Sequence, residues 1–436
     1  MRSAHRIAAL TAAVVLSACS ASAQDAEAPL TSHMPAWSMY QYSPGRNAVF
    51  ESSRTQAPWA YDAKAKINGG LALAGDTLLF TTFAHNVVAL DTRNGRELWT
   101  AAVSNVAMST PIVAGSAVYV GTGKNGELDK RANLALRFRF AGKDVWGGRQ
   151  GDEIAAFNLR DGKRLWTYRT VGEDMPSAVY DGGRLIFANG DWHAYALRAD
   201  TGEQLWSTDV GGVSTMSSAV IAGKNVVVGV CTDGISKSSA VALDPATGRI
   251  VWRSNYGHCD SSPAYGDGKV FLSSVEPTKQ RYVGRTVVAA VDANTGRTIW
   301  RYRSAAAGLW TIVASDESAI AGTYVGGTYY QAAPLDRKLL AFDGATGKLR
   351  WSFDTAGPVK MSPVIKNGRL YVGDTVGVLY TLDAASGKLL ELRPFKKPFT
   401  TSPPIVAGNT IFIVNGTSVY AMPLSGETRF ADSTGS

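Results

Sequence analysis

The stretch Leu90-Asp91-Thr92-Arg93-Asn94-Gly95-Arg96-Glu97-Leu98-Trp99 decides the fold, because the chain keeps repeating it. The same string returns as Phe157 to Trp166, Leu197 to Trp206, Leu243 to Trp252, Val291 to Trp300 and Phe342 to Trp351. Each copy has an apolar residue, a polar turn that usually carries Asp, a Gly, and a Trp four residues after the Gly. A seventh copy, Leu382 to Gly387, has the turn but carries Glu391 where the Trp belongs. The spacings between the glycines are 67, 40, 46, 48, 51 and 40 residues. A repeat of roughly 40–50 residues indicates a propeller or a solenoid.

Working outward from the turn, each repeat holds four short strands. In the seventh unit they read Ser362 to Ile365, Arg369 to Gly373, Val378 to Asp383, and a fourth after Gly387. The strands are β-branched or aromatic, and the turns are of the Asn-Gly and Gly types that favour hairpins. A four-stranded antiparallel sheet repeated about an axis is a propeller blade. First strands fall near Leu71, Thr110, Ser177, Ser217, Ser262, Thr311, Ser362 and Ser402, which predicts eight blades. The eighth unit ends at Tyr420-Ala421-Met422 with no fourth strand after it, whereas Pro58-Trp59-Ala60-Tyr61 reads like one. The expected fold is therefore all-β: an eight-bladed propeller whose ring is closed by the N-terminal strand. Trp59, Trp99, Trp166, Trp206, Trp252, Trp300 and Trp351 are expected to pack between blades, as large flat side chains on outer strands do.

The chain has 436 residues, and 44 Lys+Arg against 36 Asp+Glu give a net charge of +8. Loss of Arg2 and Arg6 with a leader would leave +6. The charges are spread rather than clustered, which argues against nucleic acid. Residues 1–23 read as a signal peptide, with Arg2 and Arg6 before the apolar run Ile7 to Leu16. Leu16-Ser17-Ala18-Cys19 has the form of a lipobox, with Cys19 lipidated; Ala21-Ser22-Ala23 offers the rival cleavage site. Residues 24–36 form a polar tether, 37–426 the propeller and 427–436 a tail. Export would put Cys231 and Cys259 in an oxidising compartment, where their structural reading is one disulfide. A metal there would want more Cys or His than the adjoining His258, and no metal is expected.

The pattern Ala-Leu-Asp-x-x-Thr-Gly-Lys/Arg-x-x-Trp resembles the repeat of the PQQ-like eight-bladed β-propellers over roughly Trp59 to Met422. That family includes quinoprotein dehydrogenases and non-enzymatic binding proteins. The lipobox, the length and the ending Ser418-Val419-Tyr420-Ala421-Met422 are similar to the lipoprotein of the outer-membrane β-barrel assembly machine. This resemblance implies a non-catalytic, monomeric scaffold on the periplasmic side of the outer membrane, with a protein partner in the envelope and no cofactor. Blade two carries an insertion, Lys124 to Gln150, whose Leu134 to Phe140 alternates like a hairpin arm. Arg137, Phe138, Phe140 and Trp146 are its candidate partner-binding residues. Further insertions are expected at Val275 to Arg285 and at Tyr324 to Arg337.

The alternative implied by the family is a dehydrogenase oxidising an alcohol or sugar with PQQ and Ca²⁺. Lys124, Trp192, Trp310 and Lys360 would then hold the cofactor, with Asp191 or Asp260 as base. Against it, the chain has no vicinal Cys pair and no recognisable calcium set, whereas Trp37-Ser38-Met39-Tyr40 resembles the lead-in of those enzymes. An enzyme that uses the funnel without PQQ, or a small-molecule or glycan-binding propeller, completes the readings.

Overall fold

The computed structural model describes residues 37–51, 57–123, 151–232, 237–279, 284–305 and 322–426, and the backbone alone of 137–140, 143–146, 283 and 308–309. Eight antiparallel sheets follow one another around an axis. Blade one shows the common plan: Ala72–Ala74, Thr77–Thr82, Asn86–Asp91 and Glu97–Ala102 run from the axis to the rim. In blade eight, Ile405–Ala407, Thr410–Asn415 and Ser418–Pro423 are completed by Trp59–Asp62, with Trp59 opposite Ala421. The N-terminal strand therefore closes the ring, and no open seam is left between first and last blades. A second N-terminal piece, Val49–Phe50, lies parallel to the inner strand of the same blade.

The repeated residues have a geometric reason. Each outer-strand Trp sits opposite an alanine of the third strand, as in Ala89 with Trp99 and Ala341 with Trp351. The small partner lets the indole lie flat toward the next blade. There the indole N–H donates to a turn carbonyl: Trp59 to Thr92 at 2.7 Å, Trp99 to Leu159 at 2.9 Å, Trp166 to Ala199 at 2.9 Å and Trp206 to Pro245 at 3.1 Å. Trp252, Trp300 and Trp351 bond in the same way to Ala293, Gly344 and Ala384. The ring rests on the turn glycine. A Cβ on Gly95 would lie 2.6 Å from Trp59, and Gly95 has φ +72° besides, so both the contact and the conformation demand glycine. Seven of the eight seams are sealed this way. The seam between blades seven and eight has Glu391 opposite Thr381 instead.

Near the axis a second repeated device links the blades. The N–H of Gly70 donates to the Thr110 hydroxyl at 2.7 Å, Thr110 to Ser177 at 2.8 Å, Ser177 to Ser218 at 3.0 Å and Ser218 to Ser262 at 3.0 Å. The hydroxyls that mark the first strands in the sequence thus satisfy backbone donors of the preceding blade.

Residues 37–50 cross the lower end of the axis as a strap. Trp37 bridges to Val113 of blade two, Ser38 accepts from Tyr180, Pro44 from Tyr265, Gly45 from Tyr324, and Ala48 from Val406. Within the strap Arg46 has no exposed surface. Its Nε donates to the Pro263 carbonyl at 2.8 Å, Nη1 to Tyr40 at 2.8 Å, and Nη2 to Ser218 and Ala219, each at 2.9 Å. Burial pulls its pKa down to about 10, a long way above neutrality, so it remains a cation solvated by carbonyls.

Blade six departs from the sequence expectation. Its first strand is Gly322–Val325 and its second Thr328–Ala333, so the blade starts well after Thr311. The stretch Tyr324 to Arg337 is not an insertion: Gly326-Gly327 forms the hairpin, and Tyr329 and Tyr330 are buried. The added length lies before the blade. Val275 to Arg285 belongs largely to the long second and third strands of blade five, Lys269–Pro277 and Val283–Asp292. In blade two, Arg137–Phe140 pairs with Lys143–Trp146 as a hairpin arm.

Candidate functional site

The upper end of the axis carries the connections between blades and the turns between second and third strands. Four residues before the inner strand, seven of the blades place a residue at one common register beside the axis. By this register the positions are Asn68, Met108, Met175, Met216, Asp260, Lys360 and Thr401 in blades one to five, seven and eight. Six of them, all but Lys360, line one small axial cavity of about 30 Å³ together with Thr110, Ser177, Ser218, Ser262 and, from below, Tyr40 of the strap. Tyr40 is stripped of water and its hydroxyl is pushed up to about 12, so it closes the floor as a neutral phenol. The floor is divided by chemistry. Three thioethers face the cavity from blades two to four and a carboxylate from blade five, and Lys360 holds the same register in blade seven.

Asp260 is 4% exposed. The Thr215 hydroxyl donates to its Oδ1, and its own backbone N–H donates to Nδ1 of His258 at 3.1 Å. Nδ1 therefore accepts, and the imidazole proton belongs on Nε2. Burial lowers the His258 pKa, the charge of Asp260 opposing this in part, so the ring is neutral. Cys231 and Cys259 are joined by a disulfide, and the Cys259 N–H donates to the Cys231 sulfur at 2.9 Å. This cross-link fixes the turn that presents His258 and Asp260. Trp192, at φ +77°, packs against it.

Above the floor stands a group of buried acids. Glu173 and Asp174 are 2% and 1% exposed. Burial raises Glu173 well above the usual carboxylate range, and Asp152, Asp260 and Asp174 add to the effect. Asp174 is raised well above that range by burial too, against hydrogen bonds from Thr170 and Asn189 that favour its charge. Asn105 donates to Asp152 at 2.8 Å. Asp191 is raised by burial, but its oxygens are engaged at the turn, accepting from the Tyr195 hydroxyl at 2.5 Å and the His193 N–H at 3.1 Å.

The sequence candidates thus divide. Asp260 and Lys360 share the floor register, Asp191 and Trp192 form a turn above it, and Lys124 and Trp310 lie outside the described residues, as does Cys19. The backbone of Arg137, Phe138, Phe140 and Trp146 is described, but not their side chains. Sequence reasoning missed Asp152, Met175, Met216, Thr215 and Arg46. Met108, Met175 and Met216 at one register of three successive repeats were the available signal.

PQQ was tested against these residues. A tricarboxylate entering the funnel would meet the Asp260 carboxylate, whereas the fully buried cation Arg46 points all its donors at carbonyls of the lower end. Among the described residues, the group that brings three metal-ligating atoms within 4.8 Å is Cys231, His258 and Cys259. Both of its sulfurs are spent in the disulfide. The described residues do not fit PQQ with its calcium ion.

Comparison with known proteins bears on these features. A tetrathionate hydrolase of Acidithiobacillus ferrooxidans is 29% identical over 355 residues, covering 77% of this chain and 68% of that protein. An outer membrane protein assembly factor BamB of Burkholderia pseudomallei is 25% identical over 351 residues, covering 73% and 85%. The crystal structure of a quinohemoprotein alcohol dehydrogenase from Comamonas testosteroni superposes with a TM-score of 0.64 over 92% of this chain and 82% of that one, at 14% identity, a likeness of fold alone. The model of the PQQ_2 family, described as outer membrane protein assembly factor BamB, matches residues 48–232, 150–274 and 236–431. With its blades, seam tryptophans and closing strand accounted for, the chain belongs to that family of PQQ-like propellers.

Proposed function

We propose that this chain is an exported hydrolase that works in the upper funnel, with Asp260 as general base, on a small oxyanion containing a sulfur–sulfur bond. The observation that carries the proposal is the axial floor, where the Asp260 carboxylate and the thioethers of Met108, Met175 and Met216 line one cavity, with Lys360 at the same register of blade seven. Asp260 accepts a proton from water, and the water oxygen attacks a terminal sulfonate sulfur. The sulfur–sulfur bond breaks, its electron pair leaving with the polysulfur fragment. For tetrathionate and one water the balance is sulfate, the disulfane monosulfonate monoanion (HS–S–SO3−) and one proton, with no external oxidant or reductant. Lys360 offsets the developing charge, and Met108, Met175 and Met216 offer polarisable contacts to the sulfur chain. Burial and acidic neighbours push Glu173 and Asp174 toward the neutral form, which weakens their repulsion of the anion. The name of the 29%-identical relative supports this substrate class. The test is consumption of tetrathionate by the purified full chain, compared with Asp260→Asn. No turnover by the unaltered chain overturns the reading.

A second reading, an envelope scaffold similar to the assembly factor, is favoured by the hairpin arm that blade two adds to the common plan. Its anchors would be Arg137, Phe138, Phe140 and Trp146. Deleting 137–146 and testing for a lost crosslinked partner separates it from the hydrolase, whose turnover should survive. Both readings place the chain in the periplasm of the cell envelope as a monomer. The leader lies within residues 1–23 and is cleaved before Cys19, which becomes the lipid anchor to the outer membrane, with 24–36 as the tether and 427–436 as a tail. Labelling with a radioactive fatty acid, lost in Cys19→Ser, checks the anchor.

A further inference from the structure

The seam without a tryptophan is chemically unlike the other seven. At the outer-strand position Glu391 stands in for the indole, and a Cβ on Gly426 would meet nothing within 4 Å, where Gly387 would meet Trp351 at 2.6 Å. The carbonyls of this turn are taken by Arg393, whose Nη1 donates to Pro423 at 2.9 Å and Nη2 to Leu424 at 3.1 Å. Its Nε is buried without a hydrogen-bond partner. Beside the turn opens a cavity of about 370 Å³ lined by Lys366, Asn367, Arg369, Tyr371, Asn409, Pro423, Leu424 and Ser425.

The Lys366 side chain is only 6% exposed, and its carboxylate neighbour, Glu51, is 90% exposed. All the contacts of the ammonium are long: 3.4 Å to each Glu51 oxygen and 3.5 Å to the Phe50 carbonyl. A buried ammonium normally holds shorter, charge-assisted bonds. Arg369, on the same wall, hydrogen-bonds Tyr371. A second cavity, of about 650 Å³ and lined by Tyr119, Tyr180, Arg184, Arg198 and Ala246 of blades two to four, differs: there Arg198 pairs with Glu203 at 3.1 Å and Arg184 with Asp181 at 3.5 Å.

We infer that the cavity at the blade seven–eight seam is a binding site for a phosphate-class oxyanion. The anion accepts from the Lys366 ammonium and the Arg369 guanidinium, with the amides of Asn367 and Asn409 and the Ser425 hydroxyl around it. The volume admits more than the bare ion, so the oxyanion can be the head of a larger molecule, either a free phosphate ester or a lipid headgroup. The site lies apart from the funnel and is independent of the hydrolase reading.

The experiment is calorimetric titration of the full chain with inorganic phosphate at constant ionic strength, with chloride as control. Expected is one saturable site, weakened at least tenfold by Lys366→Met and by Arg369→Gln. Near-ultraviolet circular dichroism should show both variants folded. Sedimentation with phosphatidylglycerol vesicles then assigns the source: binding competed by phosphate points to a headgroup, and no vesicle binding beside saturable phosphate points to a free ester. Phosphate binding no tighter than chloride, or unchanged in folded Lys366→Met, overturns the proposal.

Discussion

The two ends of the axis bury charge in opposite ways. Below, Arg46 is stripped of water, yet every guanidinium nitrogen donates to a carbonyl of the strap or of blades four and five. Its cost of desolvation is offset by hydrogen bonds that require the fold, and it ties the strap to the ring. Above, Glu173 and Asp174 are as deeply buried, but burial and their acidic neighbours push them toward the neutral form. The contrast separates two uses of a buried ionisable group. One whose hydrogen-bonding needs are met holds the scaffold together, and those pushed toward the neutral form can stand beside a bound anion at the site of Asp260.

The sharpest test of this contrast is Asp260→Asn. It should lower tetrathionate turnover by about 10³-fold, within the range of a lost general base, while the melting temperature stays close to that of the parent. Retained turnover would make the upper end a second piece of scaffold. Arg46→Met comes next. It leaves the carbonyls of Pro263, Ser218 and Ala219 without their donor and should cost about 3 kcal/mol in urea unfolding, with turnover of the folded fraction retained. Lost turnover at unchanged stability would reverse the roles of the two ends.

A smaller effect is expected from pH. Glu173 and Asp174 have folded pKa values above their unfolded ones, so the folded state binds more protons between the two. Stability is then fully present below the ordinary carboxylate range and is lost as pH rises through the raised values. Thermal melts should shift upward as pH falls from neutral toward 5, and Glu173→Gln should flatten that slope. A slope unchanged in the variant would place the proton uptake elsewhere. The smallest effect asks whether the contrast is confined to the axis. Glu391→Trp should bring the odd rim seam into line with the other seven and raise stability by about 1 kcal/mol, read as a higher melting temperature.

Much of this architecture is written in single residues. The turn Gly, the Trp four positions later and the alanine across from it report one contact, so a repeat in the sequence is a repeat in space. The closing strand was legible because the eighth unit ends at Met422 without a fourth strand and Pro58 to Tyr61 carries the outer-strand Trp before the first blade. The site was less legible. Asp260 and Lys360 stand at one register of different blades, and nothing local distinguishes them from turn residues. Arg46 lies in a strap with no periodicity, and its partners, Ser218, Ala219 and Pro263, are more than 170 residues away. Blade six was misplaced because the Gly326-Gly327 hairpin and its flanking tyrosines look like an insertion until the pairing of Thr323 with Tyr330 is seen.

The strap and the closing strand also impose an order of events. Asn47 bonds Ile365 across 318 residues, and Asn68 accepts from Thr401 across 333. A chain made from its N-terminus can assemble its middle blades as they appear, each on the one before. Trp59–Asp62 has no sheet to join until Ser418–Pro423 has been synthesised, and Arg46 lacks its full set of carbonyls until blade five exists. The earliest residues are therefore among the last to find their places. Contacts of such long range are slow to form, and until they do, an unpaired strand and the apolar Trp37 stay open to other chains. Refolding should accordingly end in a slow ring-closing phase, and a chain truncated before Ser418 should aggregate rather than persist as a seven-bladed remnant.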